Sequence, residues 1–120
     1  MALNIKVREE EGVCVVDLEG RIVIGPETSS LRDTVKGLLS QGKKIIILNL
    51  LNVSFIDSTG LGTLVASHSS AKSAGASLRL CDLGPRFSEL LQITKLYTVF
   101  EIYDSEYEAF RALSNKASAD

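Results

Sequence analysis

Asp57, Ser58 and Thr59 stand side by side between an aliphatic run and a helical pattern, followed at once by Gly60, Leu61 and Gly62. A carboxylate and two hydroxyls facing solvent at the start of a helix have few chemical uses. One is structural: Asp57 or Ser58 caps the helix by accepting a hydrogen bond from a free backbone N–H, worth about 1 kcal/mol. A second is nucleophilic catalysis by Ser58, which requires a base within hydrogen-bond reach. The single histidine, His68, lies about 15 Å further along the same predicted helix at a rise of about 1.5 Å per residue. It cannot be that base, and its i+7 relation to Leu61 makes it a partly buried structural residue. A third use is a phosphate cradle, but the third position of a GxGxxG pattern is Val65 and no GxxxxGK occurs. The glycines themselves need a reason, since each costs about 1 kcal/mol relative to alanine inside a helix. Either another protein's surface approaches the Ser58 hydroxyl closely, or the helix packs tightly against a sheet.

The elements that must position this segment follow from hydrophobic periodicity. Residues 3–8 and 13–20 alternate apolar and polar side chains around the tip Glu9, Glu10, Glu11, Gly12, which predicts a hairpin. Behind Pro26, Leu31, Val35, Leu38 and Leu39 recur at helical spacing until Gly42 stops the helix. The unbroken run from Lys43 to Leu50 reads as a strand covered on both faces, at the centre of the fold. After a short connection, residues 57–73 read as a helix with Leu61, Leu64, Val65 and His68 on one face. The pattern repeats: a strand over residues 77–83, a short helix from Pro85 carrying Phe87, Leu90 and Leu91, and a strand over residues 99–103. A last helix opens on the capping box Ser105 and Glu108 and lines its inner face with Tyr107, Phe110 and Leu113. Strands alternating with helices give right-handed crossovers and mainly parallel neighbours. The expected fold class is α/β: one domain over residues 1–114, a mixed, mainly parallel sheet of four to five strands with an N-terminal hairpin and about four helices. Residues 115–120 are expected to form a frayed tail.

Composition narrows the function further. The chain has 120 residues, 45% hydrophobic and 23% charged, the balance of a globular domain rather than a disordered one. With 13 basic against 15 acidic residues the net charge is -2, and no basic cluster exceeds the pair Lys43 and Lys44. Nucleic acid and direct membrane binding are therefore not expected. Cys14 and Cys81 lie far apart in apolar runs, forming neither a redox pair nor a metal-ligand set, so no cofactor is expected. No secretory or spanning pattern is present, and a cytoplasmic location follows as the expectation.

The run FIDSTGLG after an aliphatic strand resembles the signature of the STAS domain in bacterial anti-sigma factor antagonists. The likeness extends to Gly20 and Arg21, the helix ending before Gly42, the GASLRL strand after Ala74, and LLQITKLYTVFEIYDS from Leu90 to Ser105. The resemblance implies that Ser58 is the phosphoacceptor, without catalytic residues of the chain's own, and that Asp57, Ser58, Thr59, Gly60, Leu61 and Gly62 meet the partner. It implies an anti-sigma factor serine kinase as that partner: the unphosphorylated chain binds it and frees a sigma factor, the phosphorylated chain lets go, and a serine phosphatase resets the cycle. Leu61 is expected to serve as an apolar anchor beside Ser58. STAS-like domains also act as scaffolds or regulatory subunits of sensory and lipid-transport complexes, which is the competing expectation. The sequence departs from the family pattern at Asn49, where aspartate is frequent, at Lys95, where glycine is common, and in the loop Ile24, Gly25, Pro26, which bears on partner choice.

Overall fold

The structure, a computed structural model, describes residues 3–119, with side chains through residue 113. The charged tip after Glu10 turns β1 (Leu3–Glu10) back on β2 (Val13–Ile22) as an antiparallel pair. Then come α1 (Pro26–Ser40), β3 (Ile45–Ile56), α2 (Ser58–Ser73), β4 (Ser77–Cys81), α3 (Pro85–Thr94), a 3-10 turn (Leu96–Thr98), β5 (Glu101–Tyr103) and α4 (Glu106–Ala119). The five strands lie in the order β1-β2-β3-β4-β5, and every pair after the first is parallel.

Side-chain alternation divides the core into two layers. Leu31, Val35 and Leu38 of α1, Leu61 and Leu64 of α2, and Phe87 and Leu91 of α3 meet Val16, Leu18, Ile46, Leu48, Leu78 and Leu80 on one face of the sheet. On the other face Val13, Val15, Ile47 and Cys81 pack under Ala109 of α4. Residues on β3 thus need apolar side chains in both directions, which is why its first half is an uninterrupted aliphatic run. Cys14 and Cys81 are buried thiols on opposite faces.

A polar network on the α4 face joins the hairpin to the rest. Arg8 donates to Asp17 (Nε to Oδ2, 2.6 Å) and to Glu106 (Nη2 to Oε1, 2.7 Å). Asn49 Nδ2 donates to the same Glu106 oxygen at 3.1 Å. An aspartate at position 49 would set a second carboxylate against Glu106, so the asparagine matches its neighbour here.

The elements match the expected order; β1 and β2 each run two residues further than expected, which takes Glu9 and Glu10 of the expected tip into β1, and four other differences stand out. β3 does not stop at Leu50: Asn52, Val53, Phe55 and Ile56 pair with Glu19, Gly20, Arg21 and Ile22 past two register shifts, so the expected connection is strand. The shifts break the two-residue alternation that would have signalled it, and Gly20 takes the positive φ of 116° beside one of them. β4 ends two residues early, at Cys81, and β5 begins only at Glu101, after the 3-10 turn. Tyr107 is exposed; the inner face of α4 carries Ala109, Phe110 and Leu113. Tyr107 lies about 200° around the helix from Ala109, so it must point outward. The boundary expected at residue 114 and the tail over residues 115–120 lie outside the residues whose side chains are described.

Candidate functional site

β3 delivers Asp57 to the mouth of α2, where its carboxylate makes two backbone bonds. Oδ1 accepts from the Gly60 N–H at 2.7 Å, capping the helix, and Oδ2 accepts from the Ile24 N–H at 2.9 Å in the loop between β2 and α1. The Asp57 N–H in turn donates to the Ile22 carbonyl at 3.2 Å. These bonds, the Ile24 one foremost and then Gly60, hold the Asp57 carboxyl below its usual pKa range. Since the cap is Asp57, Ser58 is released from that duty. It is the first residue of α2 and is exposed, as is Thr59 beside it.

The two glycines separate. A Cβ on Gly60 would collide with the Ile22 carbonyl oxygen and come within 2.9 Å of Ile56 Cγ1, so this glycine lets α2 dock on the ends of β2 and β3. Gly62 is exposed and a Cβ there would meet nothing within 4 Å. Tight packing thus accounts for Gly60 and not for Gly62. Leu61, expected as an apolar anchor, is 8% exposed and belongs to the core beneath α2, because it follows Gly60 onto the inward face.

His68 sits on the far part of α2 with its ring edge-on to Phe100, centroids 5.5 Å apart. Its Nδ1 is buried and has no hydrogen-bond partner among the described residues. It is remote from Ser58 along the helix, so the site contains no histidine base for that hydroxyl.

Sequence reading places Ile24 in a loop bearing on partner choice but gives no sign that it is bonded to the Asp57 carboxylate. It is 70% exposed, yet its backbone is bonded to the residue immediately before Ser58. The available signal was a lone large aliphatic in a Gly-Pro loop with no place in any periodic pattern. Beside the site, the second half of β3 and α3 bound a groove of about 600 Å³, lined by Val53, Phe55, Ile56, Phe87, Leu90 and Ile93. Arg21 lies over the Phe55 ring at 5.4 Å on the adjoining strand pair.

A mixed five-stranded sheet with three helices on one face and one on the other, presenting an exposed serine after a helix-capping aspartate, defines a compact domain of the STAS type. The STAS domain family matches residues 4–109, and the chain belongs to that family. Relatives of this chain include anti-sigma factor antagonists. It is 34% identical over 102 residues to the anti-sigma-B factor antagonist of Bacillus subtilis, covering 85% of this chain and 92% of the relative. Among solved structures it is similar to an anti-sigma factor antagonist from Mycobacterium paratuberculosis, with a TM-score of 0.80, 22% identity, and 92% and 93% of the two chains covered. It is similar also to the phosphorylated form of the Bacillus cell fate determinant SpoIIAA, with a TM-score of 0.69, 19% identity, and 92% and 99% covered. Among the described residues, no helix is long and apolar enough to cross a membrane.

Proposed function

We propose that this chain is an anti-sigma factor antagonist switched by phosphorylation of Ser58, acting in the cytoplasm as a binding protein and not as an enzyme. Unphosphorylated, it binds an anti-sigma factor serine kinase and frees a sigma factor; phosphorylated, it lets go. The observation that carries this reading is the exposed Ser58 hydroxyl on the first residue of α2, held in place by an aspartate that performs the capping itself.

The transfer is a simple displacement. The Ser58 Oγ attacks the γ-phosphorus of a nucleoside triphosphate bound to the kinase, the bond to the β-phosphate oxygen breaks, a nucleoside diphosphate leaves, and the hydroxyl proton passes to a base of the kinase. A serine phosphatase reverses the state by hydrolysis, water attacking the phosphorus and inorganic phosphate leaving. The added group carries about -1.5 to -2 charge. At a helix N-terminus it meets the positive end of the dipole, a local gain of about 0.3 to 1 kcal/mol at an exposed position. The fold therefore tolerates it. A partner surface packed on Thr59 and Gly62 must instead accommodate a hydrated dianion beside the Asp57 carboxylate, which weakens docking. Gly60 contributes to that surface by fixing the approach of α2, since its own Cα is buried.

Incubating the chain with a cognate serine kinase and labelled ATP tests the reading. Label is expected on Ser58 of the wild type and on nothing in Ser58→Ala. A Ser58→Ala chain that is labelled equally contradicts the acceptor assignment, and equal partner retention by wild type, Ser58→Ala and Ser58→Asp points to a constitutive scaffold instead.

A further inference from the structure

Ile24 is one of the most exposed large apolar side chains of the fold, 70% accessible, yet it stands on a loop tied down at both ends. On one side its own N–H is held by Asp57 Oδ2 at 2.9 Å, and the Ile22 carbonyl accepts from the Asp57 N–H at 3.2 Å. On the other side the Gly25 carbonyl accepts from the hydroxyl of Thr28 at 3.0 Å, and Thr28 is 4% exposed. The absence of a side chain on Gly60 lets α2 press against the Ile22 carbonyl from below. None of these contacts uses the Ile24 side chain, so the fold spends ordering on a residue that adds nothing to its own core.

We propose that Ile24 is the apolar anchor by which the kinase partner recognises this chain, and that the Asp57 carboxylate is the positioning residue that fixes Ile24 relative to Ser58. The inference rests on Ser58 as the phosphoacceptor and deepens that reading. Continuity of the surface selects the occupant: Ile24 is bonded directly to the residue before Ser58, so a protein whose active site reaches the Ser58 hydroxyl also covers Ile24. The chemistry required of that protein is a small apolar pocket beside its nucleotide site. Preorganisation then contributes to affinity, because the loop loses little freedom on docking. The same arrangement couples recognition to the switch. A dianion on Ser58 holds its hydration water within the footprint where Ile24 must be dried, so phosphate opposes burial of the anchor without moving it.

Two measurements test the two halves. Without any partner, amide hydrogen exchange of Asp57→Asn is compared with the wild type. An asparagine has one carbonyl oxygen where the aspartate engages two N–H groups with two oxygens, so the Ile24 amide is expected to exchange at least about tenfold faster while core amides such as Leu48 keep their protection. Unchanged protection of Ile24 overturns the positioning role. With the serine kinase that phosphorylates the wild-type chain and Mg-ATP, Ile24→Ala is expected to raise KM for this chain by roughly tenfold or more with kcat preserved, since the lost contact is burial common to bound and transition states. Ile24→Leu is expected to restore most of it, and Leu51→Ala, an equally exposed aliphatic elsewhere, to leave KM unchanged. An unchanged KM for Ile24→Ala overturns the anchor. Failure of the acceptor reading is distinct: it appears as labelling of Ser58→Ala, whatever KM the Ile24 variants show.

Discussion

Residues 45–49 and residues 50–56 belong to one strand, β3, yet their surroundings differ on nearly every side. The first half is flanked by β2 and β4, and Ile46, Ile47 and Leu48 are completely buried between two helical layers. The second half pairs with β2 alone, because β4 reaches no further than the partner of Asn49. Its other edge faces the groove under α3, and Leu51 and Phe55 are 65% and 45% exposed. The contrast shows how a small domain raises the mouth of one helix clear of its core. The closed half supplies the cohesion, and the open half extends from it as an arm that carries Asp57 and Ser58 into solvent.

Substitutions along this strand and its neighbours separate the two halves experimentally. The largest effect is expected from Leu48→Ala, which empties a site in the closed half: about 2–5 kcal/mol lost in chemical denaturation, against no more than about 0.5 kcal/mol for Leu51→Ala in the open half. Comparable losses at the two positions would erase the distinction. Next comes Gly60→Ala, expected to cost about 1–3 kcal/mol because its methyl group meets the Ile22 carbonyl and Ile56, whereas Gly62→Ala is expected to be neutral or to stabilise by up to about 1 kcal/mol. Thermal melts of the two variants, two residues apart, read this directly.

A smaller gain is expected at the C-terminal end of α3. Lys95 ends α3 in the left-handed conformation, φ 62°, which disfavours side chains. Lys95→Gly is expected to raise stability by about 0.5–1 kcal/mol, after allowing for the greater freedom of glycine in the unfolded chain. The smallest effect is one of slope. The Asp57 carboxyl is held below its usual range when folded, so its contribution is complete above the unfolded pKa and is lost as pH falls through the lower folded value. Asp57→Asn is therefore expected to flatten the acid limb of a stability-against-pH profile below the ordinary carboxylate range. An acid limb identical to that of the wild type would mean that the two N–H bonds are not kept in solution.

Legibility in the sequence follows the same division. The hairpin, α1 and the closed half of β3 declare themselves, because burial on one or two faces imposes a period of two, a period near 3.6 or an unbroken aliphatic run. The open half does not: Asn52 and Ser54 interrupt Val53, Phe55 and Ile56, and the register shifts against β2 displace the alternation, so it reads as a connection. Tyr107 reads as inward in the sequence because spacing from Phe110 and Leu113 alone does not fix where the centre of a helical stripe lies. At the site, the Asp57-Ser58-Thr59 order was visible as a helix start. What the order leaves open is which residue makes the cap, and geometry assigns it to Asp57. The burial of Leu61 and the exposure of Ile24 are hidden from the sequence for a related reason. Whether an aliphatic faces inward depends on how α2 is pressed onto β2 through Gly60, and the bond from Ile24 to Asp57 spans 33 positions that no local pattern records. The departures Asn49 and Lys95 likewise acquire meaning only from Glu106 and from the sign of φ.

The decisive experiment titrates a serine kinase that phosphorylates this chain with the chain in two forms, unmodified and carrying phosphate on Ser58 alone, with amide spectra of both forms recorded alongside. Affinity is expected to fall by about 100-fold or more, equivalent to about 2.7 kcal/mol, while the spectral changes stay confined to the neighbourhood of Ile24 and residues 57–62. Equal affinity of the two forms, or a loss accompanied by shifts throughout the core, would contradict the switch proposed at Ser58.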